Sequence, residues 1–171
     1  MKLFFEAITG RAGRFTLQDS SWFSDGEDDL HLIATAHICV VRRDSETVHL
    51  QGNIAGHRSA ACDRCGEPVT ENVDWDFVYL VTTRKEQSYE QQEMECGDED
   101  AMTLYLKEAE IDVDEILREQ SYLALPLRTL CSEDCKGICA GCGIALNSGG
   151  CACSLEKSDS PFAVLKKLTN R

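Results

Sequence analysis

The segment LHLIATAHICVV, residues 30–41, is mostly apolar and rich in β-formers, which predicts a strand. After the turn-like RRDS, ETVHLQGNIAG at 46–56 predicts an antiparallel neighbour. Alternation is clearest in NVDWDFVYLVTT, residues 72–83. There Val73, Trp75, Phe77, Tyr79 and Val81 share one face, and Asn72, Asp74 and Asp76 begin the other. An antiparallel sheet with one wet face follows from that pattern. CDRCGEPV, with its glycine and proline, predicts a turn between the second and third strands.

Residues 84–101 are polar and acidic without periodicity, which predicts a loop, and MTLYLK after them adds a short strand. The pattern then changes period. DVDEILREQSYLAL, 112–125, places Val113, Ile116, Leu117, Gln120 and Leu123/Ala124 on one helical stripe. Asp112 is the expected N-cap, with Glu115 completing a capping box, and Pro126 stops the helix. SPFAVLKKL predicts a short terminal helix with Ser160 as N-cap and Pro161 at its first position.

Composition adds a compartment and a charge map. At 171 residues the chain can bury a core without covalent help. Its first residues lack the charged and apolar regions of a secretory signal, and no stretch approaches the roughly 20 apolar residues of a membrane span. The cytoplasm is the expected location, and there ten cysteines point to metal or redox chemistry before disulfides. The net charge of −13 divides as −4 over 1–85 (9 basic, 13 acidic), −11 over 86–119 (2 and 13) and +2 over 120–171 (6 and 4). The middle segment should repel RNA phosphates, and reads either as a solvated linker or as a surface for a basic protein.

Eight cysteines form four pairs: Cys62/Cys65, Cys131/Cys135, Cys139/Cys142 and Cys151/Cys153. A C-x-x-C turn delivers two of the four sulfurs that tetrahedral zinc requires, so eight sulfurs suit two zinc ions. Two pairs read C-x-x-C-G, where Gly66 and Gly143 permit positive φ and let the backbone curl round the ion. The shortest closure groups Cys139, Cys142, Cys151 and Cys153 across GIALNSGG, leaving Cys62, Cys65, Cys131 and Cys135 for a second ion. Facing the two C-x-x-C-G knuckles, as in zinc ribbons, is the competing partition. Spacing leaves both open and favours the first.

A thioredoxin-like role would need Cys62 at a helix start beside a βαβ unit, whereas it lies in a turn between strands. Cys39 is expected as a small buried hydrophobe, and Cys96 sits among carboxylates that discourage a thiolate. Closed sites with four protein sulfurs organise a fold rather than activate water. The histidines (His31, His37, His49 and His57) accompany no H-E-x-x-H pattern, and phosphate loops and nucleophile elbows are absent, so a non-enzyme is expected. The reading is an α+β protein: a β-rich antiparallel sheet, one principal helix and a zinc-braced C-terminal module. Residues 1–130 form the β-rich domain with acidic loop and helix, and 131–171 the Cys-rich module with its terminal helix.

CDRCGEPV, then LALPL, then the ordered C…CKGIC.GCG.ALN…C.C and PFAVLKKL together resemble the bacterial and plastid family typified by YceD, the large ribosomal RNA subunit accumulation protein. The resemblance spans roughly residues 30–171. It implies a non-enzymatic factor supporting synthesis, processing or accumulation of 23S ribosomal RNA, acting on the RNA or its precursor or with a basic ribosomal protein. It implies no membrane and no small-molecule substrate. Some family members lack the pairs from Cys139 to Cys153 but keep the earlier C-x-x-C, which makes the later site an optional brace. Many end in Asp-Pro-Arg where this chain has Ser160-Pro161-Phe162, so nothing assigned to that arginine carries over. Direct RNA contact would fall on Arg58, Arg64, Arg128, Lys136, Lys166, Lys167 and Arg171. The alternatives are an acidic zinc-binding chaperone or adaptor for a basic ribosomal protein, and a thiol-based redox sensor.

Overall fold

The structure, a computed structural model, describes residues 1–23, 30–84 and 102–153. The acidic segment, the terminal helix and Cys96 fall almost entirely outside these residues. The chain forms two compact units: Met1–Ala60 with Thr70–Leu127, and Ala61–Val69 with Arg128–Arg171. Residues 61–69, assigned by sequence to the β-rich part, therefore belong with the cysteine-rich unit.

The first unit is strand-rich. A five-stranded sheet has the order β2 (Gly13–Leu17), β3 (Leu32–Arg42), β4 (Thr47–Ala61), β5 (Pro68–Thr82), β6 (Thr103–Tyr105), the long strands β4 and β5 reaching past the unit's boundary. A second, two-stranded sheet pairs β1 (Lys2–Phe4) with β7 (Glu110–Asp112), antiparallel. The three long strands expected from the sequence are β3, β4 and β5, with β4 running five residues beyond its expected end. β1, β2 and β7 are too short, at three to five residues, to show a period on their own.

The expected antiparallel sheet is mixed, because β6 runs parallel to β5 with Leu80 opposite Thr103. A parallel neighbour needs a crossover of a dozen or more residues, and the chain between Thr82 and Thr103 supplies that length. β2 ends at Leu17 opposite Ala36, but Ser20 continues its work on β3. The Ser20 N–H donates to the Ala34 carbonyl, and its hydroxyl accepts from the Ala34 N–H and donates to the Leu32 carbonyl at 2.7 Å. A side chain thereby satisfies edge groups that the strand no longer reaches.

One α-helix lies among the described residues, α1 (Val113–Leu123), besides a single 3-10 turn at Phe5–Ala7. The Asp112 carboxylate caps it by accepting from the amides of Asp114 and Glu115. Val113, Ile116, Leu117 and Gln120 are buried as the stripe requires, and so is Ser121. Leu123 is exposed instead, because the helix ends there and Ala124 packs against the core in its place. The buried Gln120 is satisfied on both sides: its amide donates to the Tyr79 hydroxyl at 2.6 Å, and it accepts from the Trp75 indole at 2.9 Å. Those two aromatics alternate with Val73, Phe77 and Val81 on β5, so the polar contact fixes the helix against that face. Trp22, 1 % exposed, donates to the Ser121 hydroxyl, which donates on to the Leu117 carbonyl. Cys39 is half-buried rather than buried, since Ile38 and Val40 beside it take the core side of β3.

β3 and β4 approach closely where Ala34 faces Gly56. A Cβ on Gly56 would stand 2.2 Å from the Ile33 carbonyl oxygen and 2.5 Å from the Ala34 Cα, both backbone atoms that cannot swing aside. Gly56→Ala is expected to destabilise the first unit by about 2 kcal/mol or more, as overpacked sites do. Ala55→Ser, one exposed residue earlier, should stay within about 0.5 kcal/mol. Denaturant midpoints of the two variants check the difference.

Candidate metal centres

The second unit is built around sulfur. Among its described residues the buried apolar side chains are all cysteines: Cys62, Cys65, Cys135 and Cys139. Only the half-buried Val69, Leu130 and Ala145 pack against the cluster of Cys62, Cys65 and Cys135. So small an apolar core cannot hold a fold by burial alone.

The eight paired sulfurs converge as two groups, Cys62/Cys65/Cys131/Cys135 and Cys139/Cys142/Cys151/Cys153, with all sulfurs of a group within 4.8 Å of one another. A tetrahedral ion with metal–sulfur bonds of about 2.3 Å has sulfur–sulfur edges of about 3.8 Å. Cys62–Cys135 and Cys65–Cys131 lie at 3.7 and 3.6 Å, and Cys139–Cys151 is tighter at 3.1 Å. The described cysteines form no disulfide. Both groups could hold a metal ion. The two C-x-x-C-G turns are in separate groups, so the face-to-face knuckle arrangement does not occur.

The turns repeat one local design. The Gly66 N–H donates to the Cys62 carbonyl and the Gly143 N–H to the Cys139 carbonyl, each at 2.8 Å, with φ of +75° and +73° at the two glycines. That backbone region suits glycine and brings the following chain round the sulfurs. Asp63 ties the first turn to the later segment: its amide donates to the Thr129 carbonyl and its carboxylate accepts from the Thr129 amide. Arg64 donates to the carbonyls of Cys135 and Glu133 at 2.7 and 3.2 Å. Thus Cys62/Cys65 meet Cys131/Cys135 through paired hydrogen bonds as well as sulfur.

The positions proposed for RNA contact differ in their surroundings. Arg58 is in the first unit, mostly buried and paired with Glu71 at 2.6 Å, and Arg64 is occupied as just described. Arg128 and Lys136 have exposed side chains in the second unit. Lys166, Lys167 and Arg171 lie outside the described residues. A feature that spacing did not disclose is Asn147, whose side-chain amide is within hydrogen-bonding reach of Cys65, Cys131 and Cys135. Its position in a Gly-rich loop reads as turn chemistry, and nothing local marks the sulfurs it reaches.

The metal-free groups are electrostatically uneven. Burial works to raise the Cys62 thiol, but backbone N–H donors of Cys131, Arg64 and Cys65 outweigh it and bring it down to about 6. The Cys151 thiol, followed by the amides of Cys142 and Gly141, brings Cys139 down to about 6. The Glu67 amide pulls Cys65 down, yet burial and the neighbouring sulfurs push it up to about 12. The adjacent Cys142 pushes Cys153 up to about 12. At pH 7 Cys62 and Cys139 are therefore thiolates while Cys65 and Cys153 remain thiols. Loading a divalent ion is expected to release roughly two to three protons per site. Affinity should rise with pH through neutrality and fall more steeply below about pH 6, where Cys62 and Cys139 also take up protons. Calorimetric titration in buffers of different ionisation enthalpy measures the proton count, and heats independent of buffer would contradict it.

With this geometry in view, the comparisons with known proteins are informative. Residues 50–169 match the family model described as "Large ribosomal RNA subunit accumulation protein YceD". The chain is 26 % identical over 151 residues to the chloroplastic YCED homolog 1 of Arabidopsis thaliana, a large ribosomal RNA subunit accumulation protein, covering 75 % of this chain and 46 % of that protein. Its counterpart in Zea mays is 24 % identical over 135 residues, covering 66 % of this chain and 46 % of that protein. The chain thus spans a little under half the length of these relatives, and no solved structure matches it. The family match extends over more than two thirds of the chain and takes in all eight paired cysteines, and on that basis the chain belongs to the YceD family.

Proposed function

We propose that this protein is a non-enzymatic ribosome biogenesis factor that supports accumulation of large-subunit 23S ribosomal RNA, with two zinc ions bracing its second unit. The observation that carries the reading is the family match over residues 50–169 spanning both four-sulfur groups. The relatives are named for large ribosomal RNA subunit accumulation, and this role is carried over to the chain here. Zinc suits an all-sulfur tetrahedral set, and four protein ligands leave no position for a reacting water. No helix among the described residues is long and apolar enough to cross a membrane, and the cytoplasm is the proposed location.

RNA or its precursor is the proposed partner, with Arg128 and Lys136 as the exposed described contacts. Arg58 and Arg64 support the fold through Glu71 and through the carbonyls of residues 133 and 135. The concentration of −11 over residues 86–119 favours a second reading, an adaptor that holds a basic ribosomal protein and affects RNA indirectly.

Two measurements test these readings. The purified chain should hold about two zinc ions, as the two four-sulfur groups require. A strong chelator should then remove the ordered resonances of the second unit while the strand signal of the first persists. Fast thiol oxidation with metal still bound would favour a redox sensor instead. Binding to 23S precursor fragments should weaken steeply with salt, and Arg128→Ala or Lys136→Ala should each lower the logarithmic salt slope by about 1. Absence of RNA binding at low salt, together with co-purification of a basic ribosomal protein, would favour the adaptor.

A further inference from the structure

We propose that Asn147 is a positioning residue that couples the two metal sites: carried on the loop between Cys142 and Cys151 of one site, it donates its side-chain amide to three sulfurs of the other. This deepens the zinc reading and rests on it. The Asn147 Nδ2 lies 3.2 Å from Cys135 Sγ, 3.4 Å from Cys131 Sγ and 3.6 Å from Cys65 Sγ. Its Oδ1 accepts from the Lys136 amide at 2.8 Å, which turns the amino group toward the sulfurs.

The reach is fixed by a miniature ladder. Ile138 and Ala145 form an antiparallel bridge, the Cys139 N–H donates to the Ile144 carbonyl, and the Leu146 N–H donates to the Gly137 carbonyl. The Lys136 amide would come next, and the Asn147 side chain supplies its acceptor where a strand would offer a carbonyl. The Ser148 hydroxyl closes the far side by donating to the Ala145 carbonyl. Gly137, with φ of +76°, passes the Arg64 carbonyl so closely that a Cβ would lie 3.2 Å from its oxygen. The loop that the second site closes is therefore registered, bond by bond, on the segment carrying Cys135 and Cys139.

Four thiolates around a divalent ion leave about two negative charges on the sulfurs, and N–H donors are the groups that stabilise them. Of the three sulfurs the amide reaches, those of Cys65 and Cys135 belong to buried residues, where it replaces solvation that water supplies poorly. An ion at the second site holds the loop ends at Cys142 and Cys151 and lowers the entropy lost when Asn147 is placed. Occupancy of the second site thus tightens the first.

The test uses the full chain loaded with zinc for chelator competition and with cobalt for spectroscopy. Asn147→Ala should weaken the first site about tenfold or more, the scale of outer-shell effects on metal affinity. It should also move that site's sulfur-to-cobalt charge-transfer band to lower energy, because the thiolates lose a donor. Asn147→Asp retains an oxygen for the Lys136 amide and removes the donor, so it should match or exceed the alanine effect without freeing the loop. Cys151→Ser, which disables the second site, should weaken the first in the native background and add no further weakening beside Asn147→Ala. First-site affinity within about twofold of native in both Asn147 variants, or a full effect of Cys151→Ser in the Asn147→Ala background, overturns the coupling. A native chain that takes up neither zinc nor cobalt overturns the zinc reading itself.

Discussion

Four sulfurs held within 4.8 Å of one another, twice in one small unit, are the constraint on which the rest of that unit depends. As thiolates they repel one another, and without an ion burial and the neighbouring sulfurs push Cys65 up to about 12, as Cys142 does Cys153. As thiols they are small, weakly cohesive groups. A divalent ion bound there would replace the protons and convert repulsion into four bonds, and both groups could hold one. The glycines at positive φ, the Asp63–Thr129 pair and the Arg64 bridge all act to hold the backbone where the sulfurs converge.

The first unit is stabilised differently. Its core runs from Phe5 and Trp22 through β3 and β4 to Leu117, and its buried Ser20, Gln120 and Ser121 side chains are hydrogen-bonded. Gln120 between Trp75 and Tyr79 illustrates the point, since a buried amide costs stability unless both its donor and acceptor sides are used. This unit needs no metal to account for its burial.

Charge connects structure and proposed role. The described second unit carries Arg64, Arg128 and Lys136 against Asp63, Glu67, Glu133 and Asp134, and Arg64 is spent on backbone carbonyls. Metal–thiolate groups add negative charge rather than remove it. A phosphate partner would therefore meet a few exposed cations in an acidic setting, which makes any binding selective in position and sensitive to salt. The same balance is what gives the basic-protein reading its weight.

Local chemistry was legible along the chain, and long-range choice was not. The alternation of β5, the capped stripe of α1 and the two C-x-x-C-G turns are decided by residues within a few positions of one another, so periodicity and turn rules disclose them. The sequence likewise carried the family likeness, in the ordered set from Cys62 to Cys153. Tertiary structure decided which pairs of sulfurs meet, that β6 lies parallel to β5, that Ser20 completes an edge beyond β2 and that Asn147 reaches the other site. The physical reason is that loop-closure entropy changes slowly with length, so competing pairings of distant segments differ little in cost along the chain. What separates them is geometry assembled from many residues at once: the Asp63–Thr129 and Arg64 contacts, and the bridge that registers Ala145 on Ile138.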